Sequence, residues 1–292
     1  MTKTLDPSEL VLSSDGSLYH IRLFPEQIAD TVLLVGDPAR VKTISSFFDT
    51  IESTSENREI SSATGIYKGK RLTVLSTGMG TDNIDIVVTE LDAAVNVNLR
   101  KKEFNENHRS LNLIRLGTCG ALQPDISAGE CIISEYAIGI DGLLYFYKGN
   151  DSVIEKEMTQ HFVSHTQWAS ELPTPYAVKA SDFLFQKIDL PFHKGITVTA
   201  PGFYGPQGRE IRLETSMENV NAKLAGFSFA NHRITNLEME TSALYGLSRM
   251  LGHNALTTCL VIANRSNGTF LSDYKPKMNL MIEQLLEKAI EL

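Results

Sequence analysis

The sequence is short of the residues that would build a disulfide scaffold, a zinc site or a membrane span. Its 292 residues hold three cysteines, Cys119, Cys131 and Cys259. They lack CxxC spacing and a nearby histidine pattern, so reduced, mostly buried thiols are expected. No apolar run approaches the length of a membrane span. Met1 to Leu10 is polar and acidic without a signal-peptide core, which gives the expectation of a cytoplasmic protein. Positive charge is also scarce: 27 Lys and Arg stand against 35 Asp and Glu, a formal net charge of -8. That balance argues against a broad basic face for a nucleic acid polymer or an anionic membrane, so any anion site must be local. No GxxxxGK[ST] loop occurs, and Gly78 to Asn83 lacks the third glycine of a dinucleotide fingerprint, which disfavours ATP and NAD sites. Low-complexity linkers and solenoid repeats are missing, so one domain over 1–292 is expected.

What is present is an alternation of apolar strands and amphipathic helices, 42% hydrophobic overall. Thr31 to Val35 reads as a strand running into Gly36-Asp37-Pro38 and a helix from Arg40 to Phe48. Ile60 to Ile66 and Arg71 to Thr77 flank Tyr67-Lys68-Gly69-Lys70 as a hairpin. Its second strand meets Gly78-Met79-Gly80 and a predicted helix from Thr81 to Leu99. Leu113 onward reads as a strand entering a Gly117-Thr118-Cys119-Gly120 turn. Glu130 to Ile140 is a predicted strand, Pro175 to Ile188 a helix, and Ile196 to Thr199 a strand. Thr241 to Leu251 is a predicted helix and Ala255 to Ala263 a strand. Met278, Met281, Ile282, Leu285 and Leu286 mark a closing helix. The pattern predicts a single-domain, three-layer α/β/α fold with a mixed, largely parallel central sheet. Ligands in such sheets gather at the carboxyl ends of the strands, where every glycine turn lies.

These turns carry single arginines. Gly117 and Gly120 would let backbone N–H groups approach an anion, with Thr118 and Arg115 as further donors. The other reading is a buried strand whose glycines allow a tight exit. Arg40, Arg58 and Arg115 suit a free phosphate when taken jointly, and a solvated surface when taken singly. Glu238 and Glu240 lie two apart before a helix, where charge complementarity at its N-terminus would suit either. Glu157, His161 and His165 repeat every four residues but lack a fourth-ligand motif, so a solvated helix face is preferred to a metal site.

Six segments in order, GDPAR at Gly36, STGMG at Ser76, LIRLGTCGA at Leu113, GFYGPQGR at Gly202, NLEMETSALY at Asn236 and VIANR at Val261, resemble the nucleoside phosphorylase family in its uridine phosphorylase branch. The resemblance implies reversible phosphorolysis of uridine to uracil and ribose 1-phosphate, with inorganic phosphate as co-substrate and no cofactor. It implies a phosphate pocket of Gly36, Arg40, Arg115 and Thr118, completed by Arg58 of a neighbouring subunit. Met239 and Glu240 would bind ribose, and His20, donated across a subunit interface, its 5′-hydroxyl; a lone histidine is otherwise more often structural. Gly120, Phe203, Gln207, Arg209 and Arg265 would hold the base. The Gln207 amide matches the O2 and N3–H edge of uracil, and Arg209 can donate to O4. The other reading of Phe203 to Arg209 is a surface loop with an incidental aromatic. Catalytic roles fall to Arg115, Thr118, Arg209 and Glu240.

Purine-specific relatives place an aspartate at the strand end where this chain has Asn264 and Arg265. A potassium-like cation would sit near Glu59, Met79 and Asn83; the serine usual at the third position is asparagine here, so no metal is expected. A homodimer or hexamer with active sites at the subunit interface follows if His20 and Arg58 act in trans. The alternatives are a purine nucleoside phosphorylase or a nucleosidase of the same fold, or a non-catalytic nucleoside-binding protein. The stretches 148–168 and 212–231 look longer than in compact bacterial relatives.

Overall fold

The computed structural model describes residues 4–292, so Met1 to Lys3 of the expected domain and of the N-terminal reading lie outside the described residues. Strand β1 (Thr31–Val35) is buried throughout and leads to helix α1 (Pro38–Ser45). Asp37 starts that helix by accepting from Ala39 N–H at 2.9 Å, and Pro38 has its φ preset for the first turn. Strands β2 (Thr50–Asn57), β3 (Ile60–Tyr67) and β4 (Lys70–Ser76) form an antiparallel meander, which contains the expected hairpin.

Helix α2 (Thr81–Asn96) buries Ile84, Val87, Val88 and Leu91. It stops three residues before the sequence pattern does, because Val97 is extended and joins β5 (Val97–Asn98), which pairs with β6 (Glu103–Phe104). Strands β7 (Asn112–Ala121) and β8 (Cys131–Gly139) and helix α3 (Lys156–Thr166) follow. Next come β9 (Tyr176–Lys179), α4 (Asp182–Lys187), β10 (His193–Thr199), α5 (Val220–Ala225) and β11 (Ser228–Phe229). The chain closes with β12 (His232–Glu238), α6 (Thr241–Met250), β13 (Asn254–Asn264), β14 (Thr269–Phe270) and α7 (Lys275–Ala289).

Two local expectations are corrected. Pro175 to Ile188 is not one helix: Tyr176–Lys179 pairs antiparallel with β8, and Ser181 caps a separate short helix through Leu184 N–H. Tyr176, Ala177 and Val178 are all buried, an apolar run that the stretch of β8 left unpaired by β13 claims as readily as a helix does. The Gly117 to Gly120 segment is also not a turn. It is the second half of β7, with Gly117 opposite Cys259 and Gly120 opposite both Leu237 and Ala263. Gly117 is needed for space: a Cβ there would lie 2.2 Å from Arg115 Nη1 and 2.9 Å from Cys259 Sγ.

One twelve-stranded mixed sheet, ordered β11-β12-β10-β8-β13-β7-β1-β4-β3-β2, carries β9 on β8 and β14 on β13. Strands β4, β1, β7 and β13 are mutually parallel, and β8, β10 and β12 form a second parallel set. The sets meet antiparallel twice, at β13 with β8 and at β7 with β12, so the middle of the sheet curls into a five-strand ring. The pairing of Leu237 with Gly120 brings the carboxyl ends of both sets together. Functional residues from distant segments are thereby delivered to one place.

Candidate active site

The site is built around a buried charge cluster. Arg115 on β7 is only 4% exposed, and its Nη1 lies 3.2 Å from Glu238 Oε2 while Nη2 pairs with Glu240 Oε2. Burial alone would lower the guanidinium's affinity for its proton, but Glu240 and Glu238 together more than offset this and hold it above its ordinary range. The second oxygen of Glu240 accepts from Gly80 N–H at 2.8 Å, which ties the turn after β4 to the end of β12. Burial pushes the Glu240 carboxyl up, against the downward pull of Arg115.

Charge complementarity at the helix N-terminus would suit Glu238 and Glu240 alike, and the structure separates them. Glu238 accepts from Glu240 N–H at 2.9 Å, from Thr241 N–H and from Thr199 Oγ1 at 2.6 Å, so it caps α6 and braces Arg115 at once. The Glu-x-Glu spacing is the only sequence signal for this. Arg40 sits on α1 with its Nη1 donating to Leu116 O of β7 at 3.1 Å. Burial lowers its pKa. Gly36, at the end of β1, packs against Gly78 closely enough that a Cβ would meet the Gly78 carbonyl at 3.4 Å. Gly36 follows β1, Arg40 lies on the helix after it, and Arg115 and Thr118 lie within β7, where Arg115 is opposite Leu34 of β1; Glu238 ends β12, and Met239 and Glu240 follow it.

The base-binding candidates also converge. Gln207 is buried, and its Oε1 accepts from Arg209 Nη1 at 2.6 Å. The Arg209 guanidinium lies over the Phe203 ring, 3.7 Å from its centroid. Arg265 donates to the carbonyls of Gln207 at 3.3 Å and Gly208 at 3.4 Å, while a Cβ on Gly120 would come 3.7 Å from its Cγ. Burial and the nearby Arg265 lower Arg209 to about 10, which leaves it protonated at neutral pH. Behind the Tyr204 to Arg209 turn is an apolar cavity of about 900 Å³, walled by Ile140, Trp168, Leu172, Met217 and Val220. The longer 148–168 and 212–231 stretches both contribute to that wall.

His20 and Arg58 share a neighbourhood through Tyr19 and Asn57. Glu90 accepts from His20 N–H and Ile21 N–H and lies 2.6 Å from His20 Nδ1. Asn57 Nδ2 donates to His20 O at 2.9 Å, and the exposed Arg58 sits 6.0 Å from the Tyr19 ring. Their contacts are with one another's neighbours and not with Arg115 or Glu240. Of the cation candidates, the Glu59 and Asn83 side chains flank Gly78, and Met79 is 73% exposed.

Among the described residues one group has metal-ligand proximity: Asp92, His108 and His253, whose ligand atoms lie within 4.8 Å of one another. Leu111 N–H donates to His253 Nδ1 at 3.2 Å, which leaves the ring proton on Nε2, 3.2 Å from Asp92 Oδ1. A protonated nitrogen is not a ligand, so this is a histidine–carboxylate pair. Glu157, His161 and His165 are exposed along α3. Both imidazoles rest against Phe227, and His165 Nε2 donates to Lys223 O at 2.9 Å.

The description "Phosphorylase superfamily" fits residues 30–288. The chain is 30% identical over 278 residues to a uridine phosphorylase of Thermococcus kodakarensis, covering 92% of this chain and 86% of that protein. It is 31% identical over 276 residues to a DeoD-type purine nucleoside phosphorylase of Anoxybacillus flavithermus, covering 93% and 98%. Among solved structures, a Trypanosoma brucei nucleoside phosphorylase described as showing uridine phosphorylase activity superposes with a TM-score of 0.87 at 30% identity, over 97% of this chain and 100% of that one. With the family match covering residues 30–288, the chain belongs to the phosphorylase superfamily.

Proposed function

We propose that this protein is a uridine phosphorylase, a pentosyltransferase that converts uridine and phosphate reversibly to uracil and ribose 1-phosphate. Whole-chain identity does not select the base, since uridine- and purine-specific relatives match equally well. The observation that carries the choice is the base end: Arg209 and Arg265 both donate to Gln207, and β13 ends at Asn264, followed by Arg265, with no carboxylate to protonate a purine. Uracil leaving as an anion spreads charge onto O2 and O4, which cationic and amide donors can stabilise without a general acid.

In this reading Arg40, Arg115, Thr118 and the Gly36 backbone hold phosphate, with Arg58 supplied by a second subunit. One phosphate oxygen attacks C1′ as the glycosidic bond stretches toward an oxocarbenium-like state. Glu240 and Met239 hold the sugar, Glu240 favouring the positive charge that develops on it. Phe203 packs on the ring, Gly120 leaves room for it, and Arg209 and Gln207 take the departing negative charge. His20 of the second subunit meets the 5′-hydroxyl, so a homodimer or hexamer is part of the proposal. So are a single catalytic domain, the absence of a cofactor or structural cation at Glu59, Met79 and Asn83, and a cytoplasmic location, with which the free thiols Cys119, Cys131 and Cys259 accord. No helix of the described residues is long and apolar enough to cross a membrane.

Uracil release from uridine, with and without phosphate and beside inosine, thymidine and cytidine, tests the reading. Phosphate-dependent uracil release with little inosine turnover is expected. Preferred inosine turnover would make it a purine enzyme, phosphate-independent release a nucleosidase, and binding without turnover a sensor.

A further inference from the structure

Arg115 has two carboxylate partners of different character. Glu240 is held by one backbone donor, Gly80 N–H, besides Arg115 itself. Glu238 receives Glu240 N–H, Thr241 N–H and Thr199 Oγ1 in addition to Arg115, and its side chain is 1% exposed. Thr199 is fixed in turn, since its Oγ1 accepts from Ser242 N–H at 2.9 Å. Three donors from rigid elements therefore lock one carboxylate, while the other can turn toward a sugar by giving up Gly80 N–H and its pairing with Arg115. Arg115 Nε, buried and without a hydrogen-bond partner, is a donor still to be satisfied at the same place.

We propose that Glu238 is the positioning residue of the phosphate site, holding the Arg115 guanidinium in place when Glu240 leaves it for the ribose hydroxyls. This rests on the phosphorolysis reading above. Its acting partner is Arg115; Glu238 itself touches no substrate. The lock explains a costly arrangement, two buried carboxylates at an anion site. A negative charge there repels phosphate, so it is useful only if the orientation it imposes on Arg115 outweighs the repulsion.

That opposition gives the test a sign. Glu238→Gln keeps the shape and removes the charge. If Glu238 were only background charge, the variant would bind phosphate more tightly; as a positioning residue its loss weakens phosphate binding about tenfold or more. Phosphate-induced thermal shifts without nucleoside, and KM for phosphate and for uridine measured separately, read this out. The expected result is a smaller phosphate shift and a raised phosphate KM, with uridine KM changed less than about threefold.

Thr199→Val, which removes the hydroxyl holding Glu238 Oε1, is expected to act in the same direction more weakly, and supplies the same comparison if Glu238→Gln does not fold. An unchanged or tightened phosphate response in whichever variant folds overturns the proposal, as does an equal rise in both KM values. No phosphate response in the unmodified protein overturns the phosphate-site reading instead.

Discussion

Replacing Arg115 with methionine removes a charge while keeping most of the side chain's length, and the structure fixes the consequence. Two buried carboxylates, Glu238 and Glu240, lose their common counter-charge. Removing one member of a buried ion pair costs about 3–5 kcal/mol. In a protein approaching this size each kcal/mol moves Tm by about 2–4 °C, so Arg115→Met is expected to lose roughly 6–20 °C at pH 8. The loss depends on pH with a definite sign. Glu240 already has a raised pKa from burial, and without Arg115 it rises further. A carboxyl with a raised native pKa binds more protons when folded than when unfolded, so its penalty is absent below the unfolded pKa and grows as pH rises through the folded one. The Tm deficit relative to the unmodified protein should therefore be smallest near pH 5 and full by pH 8. Melting curves across that range, read by near-ultraviolet circular dichroism, provide the assay. A deficit of equal size at pH 5 and pH 8 would falsify the view that Arg115 works as counter-ion to a buried pair, and would leave only lost packing.

Gly117→Ala should disturb the same arginine from the opposite side, because its Cβ would overlap Arg115 Nη1 and press on Cys259 Sγ; a stability loss of about 1–3 kcal/mol and a raised phosphate KM are expected, and unchanged melting would show that the guanidinium has another place to go. Gln207→Ala should leave phosphate KM near its starting value while the preference for uridine over cytidine in kcat/KM falls at least about tenfold, since a buried amide that reads the base edge is gone; an intact preference would remove Gln207 from base recognition. If His20 and Arg58 serve a neighbouring active site, specific activity should drop on dilution in step with dissociation seen by sedimentation, and a monomer of full activity would refute the shared site.

Much of the site was legible because its chemistry is written in short runs. A glycine beside a strand end and an arginine four residues on, as in Gly36 to Arg40, needs only local geometry to make sense. Gln207 and Arg209 are two residues apart and meet across a single turn. Two runs differ from their sequence expectation because the pairing partner is not visible in the sequence. Tyr176 to Val178 are apolar enough for either a helix or a strand, and the stretch of β8 beyond its pairing with β13 decided. Gly117 to Gly120 has the composition of a turn, yet pairing with β13 and β12 on either side keeps it extended.

The amino-acid sequence by itself determined the class of fold, the charge balance that confines anion binding to a pocket, and the residue types gathered at strand ends. Those properties are local or additive, and survive without knowledge of what lies beside what. Only the tertiary structure decided which of two neighbouring glutamates is locked and which can move, because that depends on donors from Thr199, Gly80 and the start of α6, brought in from across the chain. It likewise decided that Gly117 serves an arginine and not a bend: the atom a Cβ would strike belongs to a side chain whose path is set by two carboxylates about 120 residues away.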